Sequence, residues 1–242
     1  MNKYQKEKEH FIVFRNLVNN FPSGEIWHDD RPDFLIHAAN GIIGIEHCLV
    51  HIPTQQNTPL QAIESQTDEI VSIAKEHAEL RGMPPILANF VFRYKENMDR
   101  SSRIDMARDI ARFIFNEITH DITPRTRIEL LYPDLDDPLL SIHIYTLEKD
   151  SKHLWKNARA GWAMENCIEL FQEAISKKDK LIKSYLVRCN NCWLLMVGEI
   201  KPSSFIHPNE NTINHKYSTS FNRIYYLDLS LMRLHEMKTV AI

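Results

Sequence analysis

Apolar residues open the chain at helical spacing. Phe11, Phe14, Leu17, Val18 and Phe21 share one stripe, which predicts a helix over residues 4–20. Pro22-Ser23-Gly24 ends it. The pattern then shortens. Glu25–His28 and Asp33–His37 read as strands joined by the turn Asp29-Asp30-Arg31, and Asn40-Gly41 reads as a hairpin turn. Ile42–Val50 is almost continuously apolar apart from Glu46 and His47, as a strand buried on both faces is. A loop over 53–59 precedes a helix at Gln61–Leu80, stopped by Gly82-Met83-Pro84-Pro85. A strand at Ile86–Tyr94, an amphipathic helix at Arg103–Ile118 and strands at Arg127–Tyr132 and Leu140–Leu147 follow. A long helix is expected over Trp162–Tyr185, then strands at Trp193–Val197 and Arg223–Leu229. The polar stretch 201–222 reads as a long loop. This order predicts an α/β fold, a mixed central sheet flanked by helices.

Composition narrows the classes. A chain of 242 residues suits one large α/β domain. Only 6 glycines occur, and neither GxGxxG nor GxxxxGK[ST] is present, which argues against a glycine-rich phosphate loop. The net charge of −3 weighs against a protein that coats nucleic acid non-specifically, while leaving room for local basic clusters. No run approaches the ~20 apolar residues that span a bilayer, and Met1–Glu9 is charged and polar, unlike a signal peptide. The expectation is a soluble, reduced, cytoplasmic protein with no membrane partner.

The candidate chemistry begins with two carboxylates. Asp33 and Glu46 lie in short β segments joined by a tight turn, so their side chains can converge. A carboxylate inside the run Ile42-Ile43-Gly44-Ile45-Glu46 is costly unless something compensates it. A divalent cation, a salt bridge and exposure at the strand end are the three possibilities. On the first helix, Glu7 falls near the centre of the face made by Phe11, Phe14 and Val18, and Glu9 falls opposite. Glu7 is either a third oxygen ligand or a first-turn acid complementing the helix dipole.

Glu7, Pro32-Asp33-Phe34 and Gly44-Ile45-Glu46-His47-Cys48 together resemble the PD-(D/E)XK nuclease-like superfamily: a helix glutamate, a strand with Pro-Asp, and a hairpin into an apolar strand ending in Glu. The helix at 61–80 and the strand at 86–94 would continue that superfamily's αβββαβ order. The resemblance implies a restriction-endonuclease-like core over about residues 1–100, with a C-terminal α/β elaboration over 101–242. It also implies Mg²⁺- or Mn²⁺-dependent phosphodiester hydrolysis, with Asp33 and Glu46 as metal ligands and Glu7 assisting. The family's lysine belongs two residues after Glu46, where this chain has Cys48. Some members move that function to the following helix or use glutamine. Gln66 lies near the middle of the apolar face set by Ile63, Ile70 and Ile73, as does His77, whereas Lys75 points away. Gln66 is therefore the first substitute and His47 the second, although His47 alternates to the other strand face. The missing lysine leaves open the alternative of a catalytically inactive member acting as a protein-interaction or regulatory module.

Other features weigh less. Cys189-Asn190-Asn191-Cys192 has zinc-knuckle spacing, but lacks a second CxxC, and His207 and His215 follow at no familiar interval. Lys177, Lys178, Lys180, Lys183 and Arg188 cluster at a helix end, as either a solvated C-terminus or a phosphate-backbone contact. Arg93, Lys95, Arg100, Arg103 and Arg108 form a second basic group. Both clusters are compatible with nucleic acid. No GxSxG nucleophile elbow occurs.

Overall fold

The computed structural model describes residues 3–53, 58–93, 98–118, 127–131, 138–158 and 163–242, with only the backbone of 127–131. In chain order the elements are α1 (Lys3–Leu17), β1 (Gly24–His28), β2 (Phe34–Ala38), β3 (Gly41–Leu49), α2 (Leu60–Leu80), β4 (Ile86–Phe92), α3 (Arg100–Glu117), β5 (Arg127–Leu131), β6 (Leu139–Thr146), β7 (Leu154–Asn157), α4 (Ile168–Asp179), α5 (Ile182–Tyr185), β8 (Asn191–Gly198), a 3₁₀ turn (Pro202–Ser204), α6 (Glu210–Asn214), β9 (Lys216–Thr219), β10 (Arg223–Asp228) and β11 (Arg233–Ala241). The chain forms two compact units. Residues 1–52 join 161–242, and residues 53–160 form the second. The division thus falls at 52/53 and 160/161 rather than near residue 100.

The first unit carries a mixed seven-stranded sheet in the order β1-β2-β3-β8-β10-β11-β9. β1, β2 and β3 make an antiparallel meander, and β8 then pairs parallel to β3. Pleat alternation splits the central strand β8 between two cores. Trp193, Leu195 and Val197 pack with Phe11, Phe14 and Phe34 on the α1 side. Cys192, Leu194 and Met196 pack with Phe171 and Ile175 of α4 on the other. Both faces of the sheet are thus covered by helices, which explains why β3 and β8 read as continuous apolar runs.

The second unit has its own four-stranded sheet, β5-β6-β4-β7, and a separate core in which Ile70 and Ala74 of α2 join Ile110 and Ile114 of α3 over Phe90 and Ile144. The helix and strand expected to extend the αβββαβ order, α2 and β4, belong to this unit and contribute nothing to the seven-stranded sheet. After β3 that sheet resumes only at β8. The expected helix over 162–185 divides into α4 and α5, its residue Trp162 lying outside the described residues.

The stretch 201–222, expected as a loop, holds the 3₁₀ turn, α6 and β9. Its polarity is misleading because the buried polar atoms are satisfied. Thr212, fully buried, donates to the Glu165 carbonyl at 3.1 Å and accepts the Cys167 N–H at 3.1 Å, while the Tyr217 hydroxyl donates to the Thr212 carbonyl at 2.9 Å.

Candidate functional site

Glu7, Asp33 and Glu46 line one cavity of about 1050 Å³, all of whose lining residues come from the first unit. Strand register brings the two strand carboxylates together. Phe34 pairs with Ile45, so Asp33, one residue before β2, stands beside Glu46 on β3. Gly44 makes the approach possible. A Cβ there would lie 2.6 Å from Pro32 Cγ and 2.7 Å from Cys189 Sγ.

Each carboxylate has a different environment. Asp33 is 7% exposed, and its Oδ2 accepts the His47 backbone N–H at 2.7 Å. Burial, reinforced by the neighbouring Glu46 charge, pushes its pKa up to about 7. Glu46 is 5% exposed; its Oε1 takes the Lys178 ammonium at 2.5 Å, and its buried Oε2 has no hydrogen-bond partner among the described residues. The Tyr185 hydroxyl, also buried, is the donor beside Glu46 and feels both the charge of that carboxylate and its hydrogen-bonding pull. Burial first, then that charge, raises its pKa. Glu7 is held by Lys3 at 3.3 Å and His28 at 3.4 Å. It lies on the buried face of α1, and Glu9 is exposed, as the helical phase requires.

Lys178 is the residue that sequence reasoning assigned elsewhere. It stands in the last turn of α4, and its side chain is 27% exposed. Burial lowers its pKa, but the hydrogen bond and charge of Glu46 outweigh burial and raise it. The helical phase carried the signal. Phe171 and Ile175 are the buried residues of α4, and 178 follows them at i+7 and i+3, on the same face.

His47 points to the opposite sheet face, as pleat alternation requires. There its Nε2 lies 3.0 Å from His10 Nδ1, and His10 Nε2 lies 3.5 Å from Glu199, which also binds Lys6 at 2.7 Å. Burial depresses both imidazoles, His47 to about 3, so both are neutral near pH 7. His10, absent from the sequence-based candidates, lies one turn from both Glu7 and Phe14 on the buried face of α1. Cys48 is a half-buried thiol whose pKa desolvation pushes up to about 12, and it cannot supply positive charge.

Gln66 belongs to the second unit, where its Oε1 accepts the Met98 N–H at 2.9 Å. In that unit Arg103 pairs with Glu69 at 2.8 Å and Arg108 with Asp105 at 3.4 Å; Lys95 lies outside the described residues. Cys189 and Cys192 are free, buried thiols, and Cys189 donates to the Tyr185 carbonyl at 3.3 Å. His207 binds Ser230 at 2.7 Å and His215 packs against Tyr217. Among the described residues no group of three His, Cys, Asp or Glu side chains is arranged to hold a metal ion. No described helix is long and apolar enough to cross a membrane. Comparison with protein-family models, with curated proteins and with solved structures finds no match.

Proposed function

We propose that the first unit is a divergent PD-(D/E)XK-type, metal-dependent phosphodiesterase acting on nucleic acid, with Asp33 and Glu46 at its centre. The observation that carries this reading is the convergence of Asp33, Glu46 and the Lys178 ammonium on one cavity. The reading is supported by the succession of α1, β1 to β3, α4 with the short α5, and β8 in the first unit, which on this assignment would stand for αβββαβ, with residues 53–160 as an insertion. On this assignment the lysine missing at position 48 comes from α4, 132 positions away in sequence from Glu46.

The chemistry of the donors fits a hard divalent cation. Two adjacent carboxylates repel each other, one of them is driven toward its protonated form, and Glu46 Oε2 is buried without a partner among the described residues. Mg²⁺ and Mn²⁺ need only one or two protein carboxylates beside water and phosphate oxygens. Asp33 and Glu46 would hold the ion, which would acidify an attacking water and stabilise charge on the phosphate. The His47 N–H fixes the rotamer of Asp33. Lys178 offers a mobile point charge to a phosphate oxygen, the task for which an ammonium suits and the Cys48 thiol does not. Arg31 also lines the cavity and would provide positive charge for a flanking phosphate, beside Lys3, Lys6 and Arg188, which are ion-paired with carboxylates.

Purified protein should cleave at least one of duplex DNA, single-stranded DNA or RNA with Mg²⁺ or Mn²⁺. Asp33→Ala and Glu46→Gln should abolish cleavage without loss of folded protein by circular dichroism. Absence of cleavage across these substrates and metals would defeat the enzymatic reading. A second reading, an inactive member of the fold serving as a protein-interaction or regulatory module, draws on the closure of Glu46 by Lys178 and the lack of a three-residue ligand group among the described residues. The two separate by metal-induced stabilisation, since an ion that binds only the native state raises Tm. A rise that vanishes in Asp33→Ala favours the enzyme, and no rise favours the module.

A further inference from the structure

Four of the basic side chains that line the cavity are paired with carboxylates. Lys3 serves Glu7, Lys6 serves Glu199, Arg188 serves Asp29 at 2.6 Å, and Lys178 serves Glu46. Asp33 differs from these carboxylates in having a neutral partner, the His47 N–H. Lys178 lines the same cavity as Asp33 and Glu46. The ammonium pairs with Glu46 Oε1, at the cavity whose wall Asp33 shares, and is the cation that Glu46 holds among the described residues.

A cation held by Asp33 and Glu46 would draw on the carboxylate that Lys178 already neutralises, and two positive charges at one carboxylate repel each other. Lys178 has room to leave. It stands in the last turn of α4, its side chain is 27% exposed, and a lysine stem has four flexible carbons.

Resting on the metal-dependent reading above, we infer that Lys178 is an internal competitor for the divalent cation. Its ammonium neutralises Glu46 before the ion arrives and swings to the substrate phosphate once the ion takes the carboxylates. The lysine then has two successive partners, and cation affinity is set low by the chain itself. A nucleic-acid phosphate that draws Lys178 away strengthens cation binding, and the coupling is reciprocal.

The test is Mn²⁺ binding by isothermal titration calorimetry, without nucleic acid, on the full chain, on Lys178→Met and Lys178→Gln, and on Asp33→Asn as the site control. Removing the competing ammonium should tighten Mn²⁺ binding by about tenfold, the factor set by an ion pair of modest strength. Binding should be lost in Asp33→Asn. Lys178→Gln keeps a neutral donor for Glu46 and decides the matter if Lys178→Met does not fold. Equal or weaker binding by the folded Lys178 variants, with Asp33→Asn still abolishing it, would overturn the competitor role and leave the metal reading standing. No Mn²⁺ binding by any protein, including the wild type, would overturn both.

Discussion

Replacing Lys178 by methionine keeps the length of the side chain and removes its charge. The Glu46 carboxylate, 5% exposed, would then lose its cation, with the neutral Tyr185 hydroxyl left as the donor beside it. Breaking a buried ion pair by deleting one member costs about 3–5 kcal/mol, chiefly through the stranded charge. Lys178 is 27% exposed, so water can reach the vacated side of Glu46 and part of that cost is returned. The expected loss is therefore about 2–3 kcal/mol in metal-free buffer, a large share of the ~5–15 kcal/mol that holds a typical domain. Glu46→Gln in the same background removes the stranded charge, so the double variant should recover much of the loss. The coupling energy between the two positions should be about 1–2 kcal/mol. Urea unfolding with EDTA at pH 8, read for the wild type, both single variants and the double variant, measures all four corners. A loss below about 0.5 kcal/mol in Lys178→Met, or single losses that simply add in the double variant, would show that the pair is a surface contact and refute the reasoning.

The pH dependence carries two opposed signatures. Burial holds His47 down at about 3 from an ordinary 6.5 and lowers His10 as well. The unfolded chain binds more protons in that window, so this contribution is complete above pH 6.5 and is lost as pH falls toward 3. His47→Gln should flatten the acid limb of a Tm-versus-pH curve, and an unchanged limb would contradict the assignment. Asp33 acts the other way. Held up at about 7 from 3.8, it binds a proton more readily folded than unfolded, so its contribution is complete below pH 3.8 and lost as pH rises through 7. Asp33→Asn should therefore gain about 1–3 kcal/mol relative to wild type in EDTA at pH 8 but not at pH 4; an equal loss at both values would make Asp33 a purely structural acceptor for His47. Gly44→Ala places a Cβ against Pro32 and Cys189 and should cost at least about 1–3 kcal/mol in urea unfolding; on the proposed metal-dependent reading, Mn²⁺ affinity should fall with it as Asp33 is displaced.

How much of the fold and the site is legible in the sequence depends on the range over which each contact acts. The meander of β1 to β3 follows from local pattern, because a tight turn and a period-2 strand settle neighbours within a few residues. Those same few residues place Asp33 beside Glu46, and the helical phase places Glu7 inward, so all three carboxylates can be named from the sequence alone. What comes next in the sheet cannot. β8 is separated from β3 by an inserted unit with its own core, and no local pattern distinguishes a strand that joins one sheet from a strand that builds another. Taking α2 as the following helix leads directly to Gln66, a residue whose apolar-face position serves its own unit and the Met98 N–H. Once α4 is the helix that precedes β8, Lys178 becomes the residue to examine. Its neighbour Lys177 pairs with Glu173 on the exposed side of the same helix at 2.6 Å. Adjacent residues on a helix point about 100° apart, so a run of lysines is a solvated surface and a buried counter-charge at once. Phase against Phe171 and Ile175 separates the two, and composition does not. The same logic bears on Cys48. A strand position that faces a helix can give up its charge when the helix supplies one from its last turn, and the thiol, half-buried and protonated, then fills space beside the ion pair without competing for it.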